Sequence, residues 1–446
     1  MIPPKPAARP DKVSLWRYWQ LFRRDILSAQ PARLYRAWMA EYRTPFFRSY
    51  LINEPELVRL VLRDRPQDFP KSKRVTAGLA PLLGQSVFVT NGEIWERQRR
   101  VIDPAFEGGR IRQSFPSMLA AAEAAADRIE AGDQNIEALT SYATADVIFR
   151  TLFSLPIDNE TATDTYRAFR AFQREQPVAT LNALMPWLPV WHGGKARNAA
   201  RELRRLIRKI VDLRLQEIAD GVAPDDLATK IMTTEDPETG QCFDGEEMVD
   251  QVAIFFLAGH ETSASLLGWV LWLLAASPEW GEQVGKEATE FVRAPEFSKL
   301  ASMNATRNVL RETLRLYPPV PMFVREAAHD EEFRGRKVKH GAQVVISPWH
   351  LHRHERIWGD PDHFDPARWE KTTEVRPDRD AYQPFSSGPR ACPGAGFAMA
   401  EAAILLAVLM ARYRFEPLEP PVPVAHLTVR SRDGIRLSVS LRDSLT

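Results

Sequence analysis

The chain has 446 residues, 44% apolar and 26% charged, close to globular averages, so it fits neither a disordered tail protein nor a membrane-embedded one. Its 59 Lys and Arg against 58 Asp and Glu leave a net charge of +1, which removes the electrostatic case for nucleic acid or an anionic bilayer as partner. Two cysteines, Cys242 and Cys392, cannot staple a chain of this length and point to a reducing compartment, with the cytoplasm expected.

Residues 1–13 are proline-rich and read as an extended arm with no export signal. Leu15, Tyr18, Trp19, Phe22 and Ile26 recur at helical spacing among Arg17, Arg23 and Arg24, which predicts an amphipathic helix packed on the protein's own body. Apolar stripes predict helices over 31–42, 54–63, 91–105, 115–131, 137–155 and 161–173, and Phe46 to Ile52 reads as a small hairpin. A Trp- and Pro-rich linker over 186–194 suits a mobile lid, and a basic helix follows over 199–218. Residues 245–276 read as one helix of about 48 Å, apolar almost all round at 252–259, so it must run through the core.

After Pro318 the texture turns to short β pieces, including 343–346 and a final hairpin over 427–441 turning at Asp433-Gly434. A last helix covers 392–412, whose longest unbroken apolar run, 402–411, falls short of the ~20 residues of a membrane span, so no transmembrane anchor is expected. The fold class is mainly α with small satellite sheets, in one domain over 1–446.

The decisive stretch is Phe385-Ser386-Ser387-Gly388-Pro389-Arg390-Ala391-Cys392-Pro393-Gly394, a cysteine in a Gly/Pro loop where a helix begins. Helix N-termini favour thiolate over thiol, which makes the sulfur a ligand. A thiolate beneath haem iron promotes O–O cleavage, the glycines allow close backbone approach, and Arg390 can pair with a propionate. Because Pro393 has no N–H, hydrogen bonds to the sulfur must come from later groups such as Gly394.

This loop resembles the haem loop of the cytochrome P450 family, F-x-x-G-x-R-x-C-x-G, at every fixed position. Ala258-Gly259-His260-Glu261-Thr262 is similar to the family's oxygen-activation motif, which implies that Gly259 leaves room for dioxygen, that Thr262 bonds to it and that Glu261 relays protons. Glu312-Thr313-Leu314-Arg315 matches E-x-x-R. Arg368 in Asp365-Pro366-Ala367-Arg368-Trp369 stands where the family places the third, structural member, although Ala367 and Trp369 depart from the usual acidic residue and Phe. Trp95 and Arg99 fit W-x-x-x-R facing a propionate, and Arg325 resembles a further propionate-binding arginine.

The resemblance implies a triangular helical prism holding haem b, with O2 as co-substrate. It places Val87, Phe88, Ile254, Phe255, Ala258, Val320, Met322 and Phe323 around an apolar pocket for fatty-acid, terpenoid or alkylaromatic substrates. No fused reductase is seen, so electrons from NAD(P)H are expected through a separate ferredoxin or flavodoxin-type carrier, with Arg97 and Arg100 expected as part of a basic docking face on a monomer. Two rivals remain at this point: a haem-binding sensor, and a zinc hydrolase built on His350, His352 and His354, whose spacing of two would put three imidazoles on one face of a strand.

Overall fold

The computed structural model describes residues 1–43, 48–174, 194–370 and 378–442. The expected linker therefore lies outside the described residues, up to Gly194, which opens the Gly194–Ala219 helix.

The predicted central helix is present as Gly245–Ala275. Asp244 caps it: its side chain accepts from the Glu247 N–H while Glu247 accepts from the Asp244 N–H, satisfying two otherwise orphaned donors. Near its middle the helix widens into a single π turn, Phe256–His260, and then resumes as Glu261–Ala275, buried almost all round. A π turn inside an α-helix is a common mark of a functional site.

Around this axis pack Ile136–Phe153, Asn304–Leu316 and Ala395–Arg412, with Pro278–Arg293 and Phe115–Ala126 outside them. Phe115–Ala126 buries Ala121, Ala122, Ala125 and Ala126, and Ala395–Arg412 buries Ala402 and Ala407, so small side chains let these two helices approach closely. Trp269 stacks on Tyr317 at 3.9 Å between ring centroids, joining the central helix to the end of Asn304–Leu316. Gly245–Ala275 and Ala395–Arg412 are long and apolar enough to cross a membrane by length and composition, but 72% and 67% of the qualifying windows are buried inside the fold, as in core helices.

A four-stranded sheet runs Met39–Arg43, Arg48–Ile52, Gln343–Ile346, Phe323–Glu326, the middle pair parallel and the outer pairs antiparallel. It covers a second core containing Tyr50, Ile52, Phe69, Phe333, Val344 and Ile346. The helix expected over 31–42 is instead a short 3₁₀ turn, Ala32–Tyr35, followed by the first strand. The small hairpin therefore forms between Met39–Arg43 and Arg48–Ile52, starting earlier than expected.

The terminal segment also differs. Val429–Ser431 pairs with Pro423–Ala425, while Arg436–Leu441 pairs with Tyr413–Pro417 and Gly132–Asn135. Asp433-Gly434 is a turn between two sheets, with Gly434 at φ +85°, a left-handed conformation that suits glycine. At the other end, Leu15–Arg24 is capped by Ser14 and contains no fully buried residue. Tyr18, Trp19, Leu21 and Phe22 are half-buried and Leu15 and Trp16 exposed, so this helix packs on the body only in part.

Candidate active site

The cysteine loop is held by its own backbone and by Arg99. The Cys392 N–H donates to the Phe385 carbonyl at 2.9 Å, and Arg99 Nη1 donates to the Ala391 carbonyl at 2.8 Å. Gly388 has φ +71°, and a Cβ there would collide with the Leu62 carbonyl, so this glycine lets the loop close against Leu62. Gly394 precedes the Ala395–Arg412 helix, and its N–H bonds to the Cys392 sulfur.

Burial pushes the Cys392 thiol up, opposed by the Gly394 hydrogen bond and the Arg99 charge. Burial wins, so the helix N-terminus does not by itself secure the thiolate as the sequence suggested. A positive partner at the sulfur would, and a metal ion supplies one. Cys392 nevertheless keeps accessible surface. A sulfur that is accessible yet deeply surrounded by protein faces an internal space.

Beside this loop lies a group of basic side chains. Trp95 is buried, and Arg390, Lys71 and Arg99 lie 5.1, 5.5 and 5.8 Å from its ring centroid. Arg325 is buried on the neighbouring strand and held down to about 10, first by burial and then by the like charge of Arg390. Arg99 pairs with Asp103 at 2.7 Å, but among the described residues no carboxylate pairs with Lys71, Arg325 or Arg390, and Arg390 Nε is buried without a partner. A buried guanidinium without a counter-ion is costly, so Arg325 beside Arg390 calls for an anion. A flat group carrying two carboxylates and a thiolate-bound metal fits both features. Lys71 escaped sequence reasoning because no motif marks it.

The central helix contributes the other half. Ala258 is exposed although Leu257 before it is buried and Gly259 after it half-buried, so it too borders an internal space. Phe255 meets Phe106 edge-on at 5.9 Å, and a Cβ on Gly394 would lie 3.9 Å from the Phe106 ring, which ties this part of the helix to the cysteine loop. The π turn is pinned by groups that the sequence did not reveal: His260 shares a 2.9 Å hydrogen bond with Ser141, and Thr144 donates to the His260 carbonyl at 3.2 Å. Burial pushes His260 down to about 3, so it is a neutral buried strut.

A model of the cytochrome P450 family matches residues 22–438. The chain belongs to the cytochrome P450 family. The resemblance of the cysteine loop is thus supported across nearly the whole chain, and this P450 is an oxidoreductase of the monooxygenase type. The chain is 35% identical to a protein named cyclooctat-9-en-7-ol 5-monooxygenase from Streptomyces melanosporofaciens over 85% of its length and 83% of that protein's. It is 32% identical to cyclooctatin synthase of the same organism, over 83% and 81%, and 29% identical to a cytokinin hydroxylase of Arabidopsis thaliana, over 86% and 77%. The crystal structure of the cytochrome P450DA heme domain superposes with a TM-score of 0.84 at 23% identity, covering 99% of this chain and 98% of that one, which shows the mainly α P450 fold.

Within this P450, the two residues expected to move protons are turned aside. Thr262 Oγ1 donates back to the Ala258 carbonyl at 2.5 Å, and Glu261 accepts from Thr428 Oγ1 at 2.7 Å, leaving its second oxygen buried without a partner. Gly259 also serves packing: a Cβ there would press on Ile148 Cδ1 at 3.1 Å, so the missing side chain admits the neighbouring helix. Of the expected pocket residues, Ile254 is fully buried in the core, Val87, Phe255, Met322 and Phe323 are half-buried, and Phe88 and Val320 are exposed.

The E-x-x-R pair is wholly interior. Glu312 accepts from Arg315 at 2.8 and 2.9 Å, from Arg368 at 3.1 Å, from the Asp365 N–H at 3.0 Å and from Trp369 Nε1 at 2.9 Å. Arg315 spends its remaining donors on the carbonyls of His352, Pro361 and His363. Every ionised lone pair is engaged, the condition under which a buried ion pair is tolerable. The departure at Trp369 adds an indole donor that Phe could not provide.

The histidine trio does not form a metal face. Pro348–Leu351 is a short helix, so the strand spacing fails. His350 bonds Ser347, His352 accepts from the Gln383 N–H at 2.7 Å, and His354 stacks on Trp38. Arg97 and Arg100 are likewise no free docking face: Arg97 pairs with Glu247, and Arg100 with Asp236 at 2.6 Å and Glu238 at 3.0 Å.

Proposed function

We propose that this P450 is a haem b monooxygenase acting on a hydrophobic small molecule of the terpenoid kind, as one catalytic domain in the cytoplasm, with electrons drawn ultimately from NAD(P)H through separate carrier proteins. The observation that carries the reading is Cys392: a sulfur facing an internal space, with a hydrogen bond from Gly394 and unneutralised cations nearby. When bound there, haem supplies the activation of dioxygen that thiolate ligation favours.

The chain's own residues take up the remaining tasks. Cys392 ligates the metal, and Gly394 moderates the charge on its sulfur. Trp95, Arg99, Arg325 and Arg390 hold the cofactor's carboxylates, while Phe385 and Ala258 border its faces. Thr262 and Glu261 handle protons. In the resting arrangement both are latched, to Ala258 and Thr428, so each must turn to act. Glu312, Arg315 and Arg368 hold the segment leading to the cysteine. Val87, Phe88, Ile254, Phe255, Val320, Met322 and Phe323 offer apolar contact without fixed charge, which suits hydrocarbon-rich substrates.

The lean toward terpenoids draws on the relative named for cyclooctat-9-en-7-ol, an unsaturated alcohol. Titrating the purified haem protein with terpenoid alcohols, fatty acids and alkylaromatics, and following the spin-state change of the Soret band, tests it. A terpenoid alcohol should give the largest change and a product heavier by one oxygen atom. A response confined to fatty acids or charged compounds would remove the substrate assignment.

A further inference from the structure

We propose that Gln251 is a positioning residue for substrate selectivity: without touching substrate, its buried side-chain amide fixes the pocket wall that carries Val87 and Phe88. This rests on the haem-thiolate reading above and adds to it a determinant of which hydrophobic molecules fit.

The wall has no regular structure of its own. Residues 84–90 join the Lys73–Leu83 and Gly92–Ile102 helices as a run of turns, so several of their peptide groups need partners from outside the segment. Side chains supply them. The Gln85 N–H donates to Asp250 Oδ2 at 2.6 Å and the Val87 N–H to Gln251 Oε1 at 2.9 Å, while the Gln85 carbonyl accepts from Gln98 Nε2 at 2.6 Å. Two consecutive residues of the central helix thus hold the segment. Gly84 permits the approach: its φ is +49°, and a Cβ there would lie 2.2 Å from Asp250 Oδ1.

The attachments differ in how they are braced. Asp250 also pairs with Arg204 at 2.6 Å, and Arg204 donates to the Leu82 carbonyl at 2.9 Å; Gln98 accepts from Thr90 Oγ1 at 2.5 Å. Gln251 stands apart. Its oxygen serves the Val87 N–H, and its Nε2 is buried without a partner. An amide that is wholly buried one turn before Phe255 and leaves its donor end unpaired is not explained by the stability of its own helix, where an apolar side chain would leave no such orphan. Its effect lies across the contact, at the peptide between Ser86 and Val87.

That peptide sets where the wall stands. Phe88 follows it directly and is 45% exposed, so its own packing does little to fix its place. Without the Gln251 oxygen, the Val87 N–H is left unpaired unless the segment moves. The cysteine loop keeps its own ties, to the Phe385 carbonyl and to Arg99. Loss of the clamp therefore reshapes the pocket and spares the sulfur. Apolar pockets separate ligands that differ by one methylene by roughly tenfold or more, so a small displacement of this wall changes the order of preference.

The test uses the haem-loaded full chain and three prenyl alcohols of increasing length, geraniol, farnesol and geranylgeraniol, with dissociation constants read from the spin-state change of the Soret band. Wild type should prefer one of them over another by about tenfold or more. Gln251→Met, of similar length but without a comparable acceptor, should compress that ratio by about fivefold or more. Gln251→Glu keeps an oxygen for the Val87 N–H and should hold the ratio near the wild-type value. A wild type that binds all three alike, a Gln251→Met ratio equal to wild type (all three alcohols weakened by a common factor, as a merely structural role predicts), or a Gln251→Glu variant that behaves like Gln251→Met overturns the proposal. If Gln251→Met does not accumulate, Gln251→Asn, whose shorter side chain stops short of the Val87 N–H, takes its place. The reduced carbon monoxide spectrum separates the two levels: a thiolate-type band with an unchanged ratio removes only the role of Gln251, whereas no thiolate-type band in the wild type removes the reading beneath it.

Discussion

Arg99 reaches from the Gly92–Ile102 helix to the carbonyl of Ala391, the residue before Cys392, at 2.8 Å. The same guanidinium lowers the proton affinity of the Cys392 sulfur, so one side chain both fixes the loop and biases its charge. Arg99→Gln should lose both effects. As pH falls, conversion of the reduced carbon monoxide complex from the thiolate-type to the thiol-type spectrum should begin at higher pH than in wild type. An unchanged midpoint in a spectral pH titration would contradict this.

Glu312 is buried with two arginines, an indole and a backbone N–H bonded to it. Glu312→Gln keeps the shape but leaves Arg315 buried without a counter-charge, at a cost of about 3–5 kcal/mol. Trp369→Phe removes one donor and should cost about 1–3 kcal/mol. Urea unfolding followed by circular dichroism would show that order; equal midpoints for both variants and wild type would disprove it.

Glu401 lies in the Ala395–Arg412 helix and accepts from Ser263 at 2.7 Å, while its other oxygen is buried without a partner. Burial pushes it up to about 8 from an ordinary 4.5, so within that window the folded chain holds a proton that the unfolded chain has lost. Stability should therefore fall as pH rises through the window and level off above it, with an upper bound of roughly 5 kcal/mol. Glu401→Gln should flatten this slope. Melting temperatures at pH 5.5 and 8.5 check it: the variant should gain on wild type at the higher pH, and parallel behaviour would refute the assignment.

Thr262 and Glu261 act on protons only after leaving their present partners. Thr262→Ala should therefore leave NAD(P)H consumption largely intact while product per NAD(P)H falls about tenfold or more, the lost electrons appearing as hydrogen peroxide. Thr428→Val, which unlatches Glu261, should alter the pH profile of coupling without a comparable loss of haem. Oxygen, peroxide and product measured together would expose a variant in which coupling does not move.

Legibility in the sequence followed the range of the interactions. The cysteine loop is ten contiguous residues and the E-x-x-R pair one helical turn, so local pattern sufficed for both, as it did for the central helix. Arg97 and Arg100 looked free because their partners Glu247 and Asp236 lie far along the chain. The 427–441 segment looked like a hairpin because its turn is local while its strand partners, Tyr413–Pro417 and Gly132–Asn135, are not. Pro348 starts a helix turn that broke the alternation expected of His350, His352 and His354. Lys71 is significant only through the three arginines that the fold gathers around it.

The central claim is that the Cys392 sulfur binds haem iron. Its most direct test is the absorption spectrum of the reduced protein under carbon monoxide, wild type beside Cys392→Ser. The account predicts a red-shifted, thiolate-type Soret band in the wild type that is absent from the variant. The same band in both, or none in a wild-type protein loaded with haem, would contradict it.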